Sequence, residues 1–187
     1  WILPKTVEQF AALGLPRDDP RIGNLVPKPL LSPGNVELAL QRLKLTDSKD
    51  RPLLALCPGA EYGPAKCWPL EYYARVAQQQ IAAGWQVWIF GADKDVAIGT
   101  RIATLAGDGC FNLCGQTTLP EAVDLMSLAH AVVTNDSGLM HVAAALDKPL
   151  IALYGSSDPR HTPPLHHDAE ILFLGLKCSP CFQRTCP

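Results

Sequence analysis

The sequence predicts an α/β fold, a doubly wound sheet of parallel strands with helices on both faces. Three observations carry that reading. From Arg51 onward, short apolar runs alternate with segments of helical period. The runs, such as Leu53-Leu54-Ala55-Leu56-Cys57 and Ala131-Val132-Val133, are continuous, which marks strands buried on both faces. Four of them end in glycine plus polar residues, the composition of loops at the C-terminal edge of such a sheet.

The elements follow in order. Residues 1–50 lack the alternation and read as an extension and interdomain linker. Within them Val7–Leu13 is a short helix stopped by Gly14, five prolines from Pro16 to Pro33 mark the linker, and Val36–Leu45 is a second helix with Val36, Leu40 and Leu43 on one side. Residues 51–187 form the folded domain. Leu53–Cys57 is strand one. Leu70–Ala83 is a helix with Leu70, Tyr73, Ala77 and Ile81 on one face and Gly84 as its stop. Gln86–Phe90 is strand two, Asp93–Ala106 a helix, and Cys110–Leu113 strand three. Leu119–Ala129 is a helix with Leu119, Ala122, Val123, Met126 and Ala129 inward. Ala131–Thr134 is strand four, Ser137–Leu146 a helix, Pro149–Leu153 strand five and Glu170–Leu174 strand six.

Composition narrows the class. Of 187 residues, 48% are hydrophobic and 18% charged, enough apolar material for a sizeable core. A net charge of −2 without a basic run argues against a nucleic-acid surface. No apolar run reaches the roughly 18–20 residues that a membrane span needs. The seven cysteines lack the rhythm of a disulfide scaffold and are expected to be reduced, cytoplasmic thiols. The start at Trp1 and the end at Cys186-Pro187 read as those of a piece of a longer protein.

The stretch Thr134-Asn135-Asp136-Ser137-Gly138-Leu139-Met140-His141 reads as strand, sharp turn and helix. Asn135 or Asp136 suits the N-cap, where a short acceptor satisfies first-turn N–H groups. Gly138 leaves the backbone open to close approach, and a helix N-terminus attracts phosphate. Ser137, Gly138 and His141 share one face, while Leu139, Val142, Ala143 and Leu146 turn to the core. Taken alone, an Asp-Ser-Gly before a helix is usually just a cap, and a lone histidine usually just packs. The loop Pro58–Pro69 carries Gly59, Ala60 and Lys66 and is either an anion cradle or a surface loop with a solvated lysine. Strand two ends in Phe90-Gly91-Ala92-Asp93-Lys94-Asp95, where a carboxylate either binds ribose or caps a helix. Strand five ends in Tyr154-Gly155-Ser156-Ser157-Asp158-Pro159. Four such ends on one edge favour a nucleotide site. Cys178-x-x-Cys181-x4-Cys186 offers three thiols where a structural zinc wants four ligands, so free thiols are expected.

Together, Pro58-Gly59-Ala60, Lys66-x-Trp68-Pro69, Phe90-Gly91, Asp136-Ser137-Gly138-x-x-His141 and Tyr154-Gly155-x-x-Asp158-Pro159 resemble the ADP-heptose:lipopolysaccharide heptosyltransferases. Pro58–Pro69 is most similar to the heptosyltransferase II branch, and the resemblance runs from about residue 51 to the end. It implies the GT-B fold, two Rossmann-like domains facing across a cleft, with this chain as the C-terminal, donor-binding half. It implies inverting transfer of L-glycero-D-manno-heptose from ADP-heptose to the lipopolysaccharide inner core, with no metal and no separate cofactor. By resemblance Gly59, Ala60, Lys66, Asp136, Ser137, Gly138 and His141 hold the diphosphate, and Lys66 stabilises the leaving group. Asp95, where the family more often has Glu, holds ribose. Gln116, Thr117 and Leu119 line the adenine pocket. The general base and the lipid A–core acceptor belong to the N-terminal half, which places the enzyme in the cytoplasm at the inner face of the inner membrane. Two other classes stay open: another GT-B nucleotide-sugar enzyme, such as a UDP-sugar transferase or epimerase, and a non-catalytic nucleotide-binding module.

Overall fold

The computed structural model describes residues 5–16, 18–22, 35–45 and 51–186. Six strands, β1 (Leu53–Cys57), β2 (Gln86–Ile89), β3 (Cys110–Asn112), β4 (Ala131–Asn135), β5 (Leu150–Tyr154) and β6 (Glu170–Phe173), form one sheet in the order β3-β2-β1-β4-β5-β6. Every pairing is parallel, so all C-terminal ends share one edge. β1 sits at the centre, with Leu54 beside Val87 of β2 and Ala131 of β4. This is the Rossmann-like arrangement that the apolar runs predict.

The two-residue period of a strand divides β1 between two cores. Leu54 and Leu56 pack with Val87, Ile89 and Val133 against α3 (Leu70–Ala82) and α4 (Val96–Ala106), through Tyr73, Ala74, Ala77 and Ile102. Leu53, Ala55 and Cys57 pack with Trp88, Phe90 and Val132 against α5 (Leu119–Met126) and α6 (Gly138–Ala145), through Leu125, Met126, Met140 and Ala143. All five β1 residues are buried, the signature of a strand covered on both faces.

The described part of the first fifty residues holds α1 (Thr6–Ala11) and α2 (Asn35–Leu43). The Thr6 N–H and hydroxyl both donate to the His161 carbonyl, at 2.9 and 3.1 Å. α2 adds Ala39 and Leu40 to the α5/α6 core, with Val36 and Leu43 packed beside them. Most of the expected Pro16–Pro33 linker, and the expected boundary at residue 50, lie outside the described residues.

Three helix expectations shift for local reasons. Asp93–Asp95 is a single 310 turn before α4 rather than the first turn of it. α5 stops at Met126, and its N-cap is Thr118, in a reciprocal box with Glu121 that the Thr118-x-x-Glu121 spacing encodes. The inward face of α6 is Met140, Ala143 and Ala144, so Leu139 and Val142 lie only half-buried at its edge. α3 ends as expected: Gly84 takes φ +88° and donates its N–H to the Ile81 carbonyl.

Candidate functional site

β1 and β4 are neighbours whose following connections leave in opposite directions, which opens a crevice at their C-terminal ends. Asn135, the last residue of β4 and fully buried, ties this corner together. Its Nδ2 donates to the Pro58 carbonyl at 2.6 Å. Its Oδ1 accepts from the Trp68 N–H at 3.1 Å and the Tyr73 hydroxyl at 3.0 Å. The two ends of the Pro58–Pro69 loop are therefore fixed to one side chain. Asn135 is a clamp across the sheet, not a helix cap.

A cavity of about 320 Å³ opens in the crevice, lined among others by Gly59, Ala60, Asp95, Leu119, Ser137 and Gly138. Asp95 enters it because two neighbours lack side chains: a Cβ on Gly59 would come within 2.5 Å of Asp95 Oδ2, and one on Gly91 within 2.8 Å of its Cβ. Asp95 Oδ2 also accepts from the Ala92 N–H at 3.0 Å, which sets the carboxylate's direction. Asp93 is exposed at the start of the 310 turn and does not line the cavity. A Cβ on Gly138 would meet nothing within 4 Å, so the amino end of α6 is open to a ligand. Leu139 and Val142 pack against the core as expected, half-buried, and also supply apolar lining to the cavity.

Beside the cavity, Lys66 Nζ lies 2.6 Å from Asp136 Oδ2. The lysine side chain is 19% exposed and the aspartate 5%, so this is a largely buried pair and not a solvated lysine. Ser157 donates to the same oxygen at 2.5 Å, and Thr162 to Oδ1 at 3.4 Å. The N-cap expected at Asp136 falls one residue later: Ser137 is extended (φ −150°, ψ 172°) and α6 has no side-chain cap. The carboxylate is taken by the lysine and two hydroxyls, partners 21 to 70 residues away that local spacing does not reveal. His141, on the next turn, is half-buried. Burial pushes its pKa below the ordinary histidine value, Asp136 opposes the shift and Lys66 adds to it, so the imidazole is neutral at pH 7.

The loops after β1 and β5 and the cysteine-rich C-terminal segment interlock. The Ala65 carbonyl accepts from the Ser156 N–H at 3.2 Å, the Arg184 carbonyl from the Ala65 N–H at 3.0 Å, and the Phe182 carbonyl from the Tyr62 hydroxyl at 2.7 Å. Gly63 and Gly155 permit this: a Cβ on either would come within 2.5 Å of a carbonyl oxygen, of Arg184 and Ala65 respectively.

Of the expected adenine-side residues, Leu119 lines the cavity and is 64% exposed, against the inward position that helical period assigns it. Gln116 turns its amide to the Asn112 carbonyl at 2.5 Å, and Thr117 is half-buried in the turn. Arg42 of α2 braces this turn, donating to the Gln116 carbonyl at 2.8 Å and to Glu121 at 2.9 Å.

All seven cysteines are free thiols. Among the described residues the one set of three grouped metal-type ligands is Asp147, His166 and His167. The Asp168 N–H donates to His166 Nδ1 at 3.1 Å, so the neutral ring carries its proton on Nε2, the atom 3.4 Å from Asp147. That tautomer suits a hydrogen bond rather than a metal. A larger groove, about 540 Å³, runs between α3 and the β4–β6 face. Its lining is mostly apolar and gathers no cation, so it does not compete as a phosphate site.

A family model described as glycosyltransferase family 9 (heptosyltransferase) matches residues 7–187. Lipopolysaccharide heptosyltransferase 2 of Salmonella typhimurium is 47% identical over 179 residues, covering 91% of this chain and 51% of the relative. Lipooligosaccharide heptosyltransferase 2 of Haemophilus influenzae is 43% identical over 187 residues, 91% of this chain and 52% of the relative. The solved structure of ADP-heptose lipopolysaccharide heptosyltransferase II of Escherichia coli superposes with a TM-score of 0.77 at 44% identity, over 92% of this chain and 55% of that one. The chain thus spans about half the length of the curated relatives it matches. With this fold, this crevice and these relatives, the chain belongs to glycosyltransferase family 9, the heptosyltransferases.

Proposed function

We propose that this chain is the donor-binding half of a GT-B enzyme that transfers L-glycero-D-manno-heptose from ADP-heptose to the lipopolysaccharide inner core, with inversion and without a metal. The observation that carries the reading is the cavity at the β1/β4 crevice, lined by Asp95 and by Ser137 and Gly138, with the Lys66–Asp136 pair next along the chain from Ser137. Adenine rests against Leu119, with Gln116 and Thr117 shaping the turn behind it. Asp95 accepts from the ribose hydroxyls. The diphosphate lies along Gly59, Ala60 and the Ser137-Gly138 end of α6.

As the glycosidic bond breaks, negative charge grows on the departing ADP. Lys66, held by Asp136, and the α6 N-terminus present fixed N–H donors at that point, which supports leaving-group stabilisation without a metal. Neutral His141 can donate a hydrogen bond to a phosphate oxygen without adding charge. The base that activates the acceptor hydroxyl is assigned to the other half of the cleft. So is the lipid A–core acceptor, reached at the cytoplasmic face of the inner membrane.

Calorimetry of this chain with ADP, UDP and AMP tests the donor assignment. ADP is expected to bind more tightly than UDP, and the chain by itself to transfer no heptose. Equal or tighter binding of UDP would assign the crevice to a different nucleotide sugar. Heptosyl transfer by these 187 residues alone would overturn the division of labour between the halves.

A further inference from the structure

The two lysines at the cavity are both paired with carboxylates, Lys66 with Asp136 and Lys94 with Glu61. Lys66 is paired with Asp136, so the two together contribute almost no net charge toward a diphosphate. The residue that can make up the difference is Arg184. Its guanidinium lies 5.1 Å from the centre of the Tyr62 ring, and Lys66 Nζ lies 5.5 Å from the same centre. One ring therefore gathers two cations. Arg184 is exposed and, among the described residues, makes no ion pair. Glu61, whose carboxyl feels the Arg184 charge, is itself paired with Lys94.

We propose that Arg184 is a second cation for the nucleotide, taking the distal phosphate of a bound nucleoside diphosphate. This rests on the nucleotide reading above and adds a binding residue to it. The lining supports the direction. Asp95 and Leu119 line the cavity together with Ser137 and Gly138 and with Glu61, the chain neighbour of Tyr62, so the Lys66–Tyr62–Arg184 group adjoins it through the Pro58–Pro69 loop. A nucleotide that starts at Asp95 brings its last phosphate to that group. Arginine suits the position because its planar fork grips two phosphate oxygens, where lysine acts as a point charge.

The main chain of Arg184 is held while its head stays exposed. Its carbonyl is fixed by Ala65, the Phe182 carbonyl by Tyr62, and the Phe182 N–H donates to the Ser156 carbonyl at 2.8 Å. The Ser179 hydroxyl donates to the Gly155 carbonyl. The segment is thus fastened to the loops after β1 and β5, which orders the backbone before any ligand arrives.

The test is calorimetry of the same chain with Arg184→Gln and Arg184→Lys, using ADP, AMP and adenosine at low and high salt. Arg184→Gln is expected to weaken ADP about tenfold, the scale of one charge-assisted contact. AMP and adenosine should change less than about twofold, the melting temperature should hold, and the ADP loss should shrink in high salt. Arg184→Lys should recover part of the ADP affinity. In a second variant, Gly63→Ala, a Cβ is driven against the Arg184 carbonyl, and it should lose ADP affinity in preference to AMP. Unchanged ADP affinity in Arg184→Gln, or equal losses of ADP and AMP, would overturn the assignment while leaving the nucleotide site standing. A wild-type chain that binds no ADP would overturn both.

Discussion

Lys66 and Asp136 come from loops 70 residues apart and meet at 2.6 Å, with the carboxylate almost fully buried. The pair therefore serves the fold as well as the proposed ligand. Lys66→Ala leaves Asp136 with only the Ser157 and Thr162 hydroxyls, and the variant should lose stability as well as ADP affinity. A loss of about 1–3 kcal/mol is expected, the cost of removing one partner of a buried charged hydrogen bond. The double variant Lys66→Met/Asp136→Leu, which buries no orphan charge, should regain part of that stability and still fail to hold ADP. Urea unfolding beside ADP calorimetry separates the two effects. Full stability in Lys66→Ala would mean that the pair does not constrain the loop.

Asn135→Ala should be among the more damaging single changes in the domain. It removes three hydrogen bonds, to Pro58, Trp68 and Tyr73, and leaves the buried Tyr73 hydroxyl only the long 3.5 Å contact to the Cys57 carbonyl. Roughly 2–4 kcal/mol is expected from lost and unsatisfied buried polar groups. Denaturant midpoints give the number. Asn135→Asp, which keeps the acceptor but loses the donor to the Pro58 carbonyl, should destabilise as well.

Thiol chemistry should sort the cysteines by place in the fold. Burial pushes the Cys110 and Cys114 thiols up to about 12 and raises Cys57 further, leaving almost no thiolate at pH 8. Cys178 and Cys186 are exposed. A native titration with an aromatic disulfide reagent should show a fast phase from these two, then Cys181. Unfolding in denaturant should bring the total to seven. Slow reaction at Cys178 and Cys186 would show that the C-terminal segment is covered or ligated in solution.

His141 gives the stability a pH dependence of known sign. Its folded pKa is lowered by burial, so the unfolded state binds more protons between the folded value and the ordinary one. The contribution is complete above about pH 6.5, the unfolded value, and is lost as pH falls through the folded pKa. His141→Gln should therefore flatten the stability profile below pH 6.5 and leave it unchanged at pH 8. Parallel profiles for the two proteins would refute the assignment.

How far the sequence reveals all this depends on the range of each interaction. The sheet is legible because β1 is apolar throughout and β4 opens on the apolar run Ala131-Val132-Val133, as burial on both faces demands. The crevice is legible because parallel strands deliver four glycine-and-polar ends to one edge. The Thr118/Glu121 box has a local signature that was there to be read. The role of Asp136 was not legible, since its partners are distant, and helical cap statistics point to the wrong function for it. Met140 and Ala144 were missed as the deepest positions of α6, and the share of Leu139 and Val142 in the cavity wall with them, because an eight-residue helix of mostly small and apolar residues does not declare its phase. The docking of residues 179–184 was invisible because it is made largely by backbone groups, which every sequence has.

The central position of β1 also sets an order of assembly. β1 can find β2 through the local β1–α3–β2 unit, but its other neighbour begins at residue 131, and the Leu53–His130 contact closes 77 residues of chain. Closing a loop of that length loses entropy before the contact returns anything, so the β1–β4 pairing forms late. Asn135, Asp136 and the cavity all depend on that pairing. During folding the crevice is therefore among the last features to exist, and until then β1 is an unpaired apolar edge, the place where a stalled chain would stick to another.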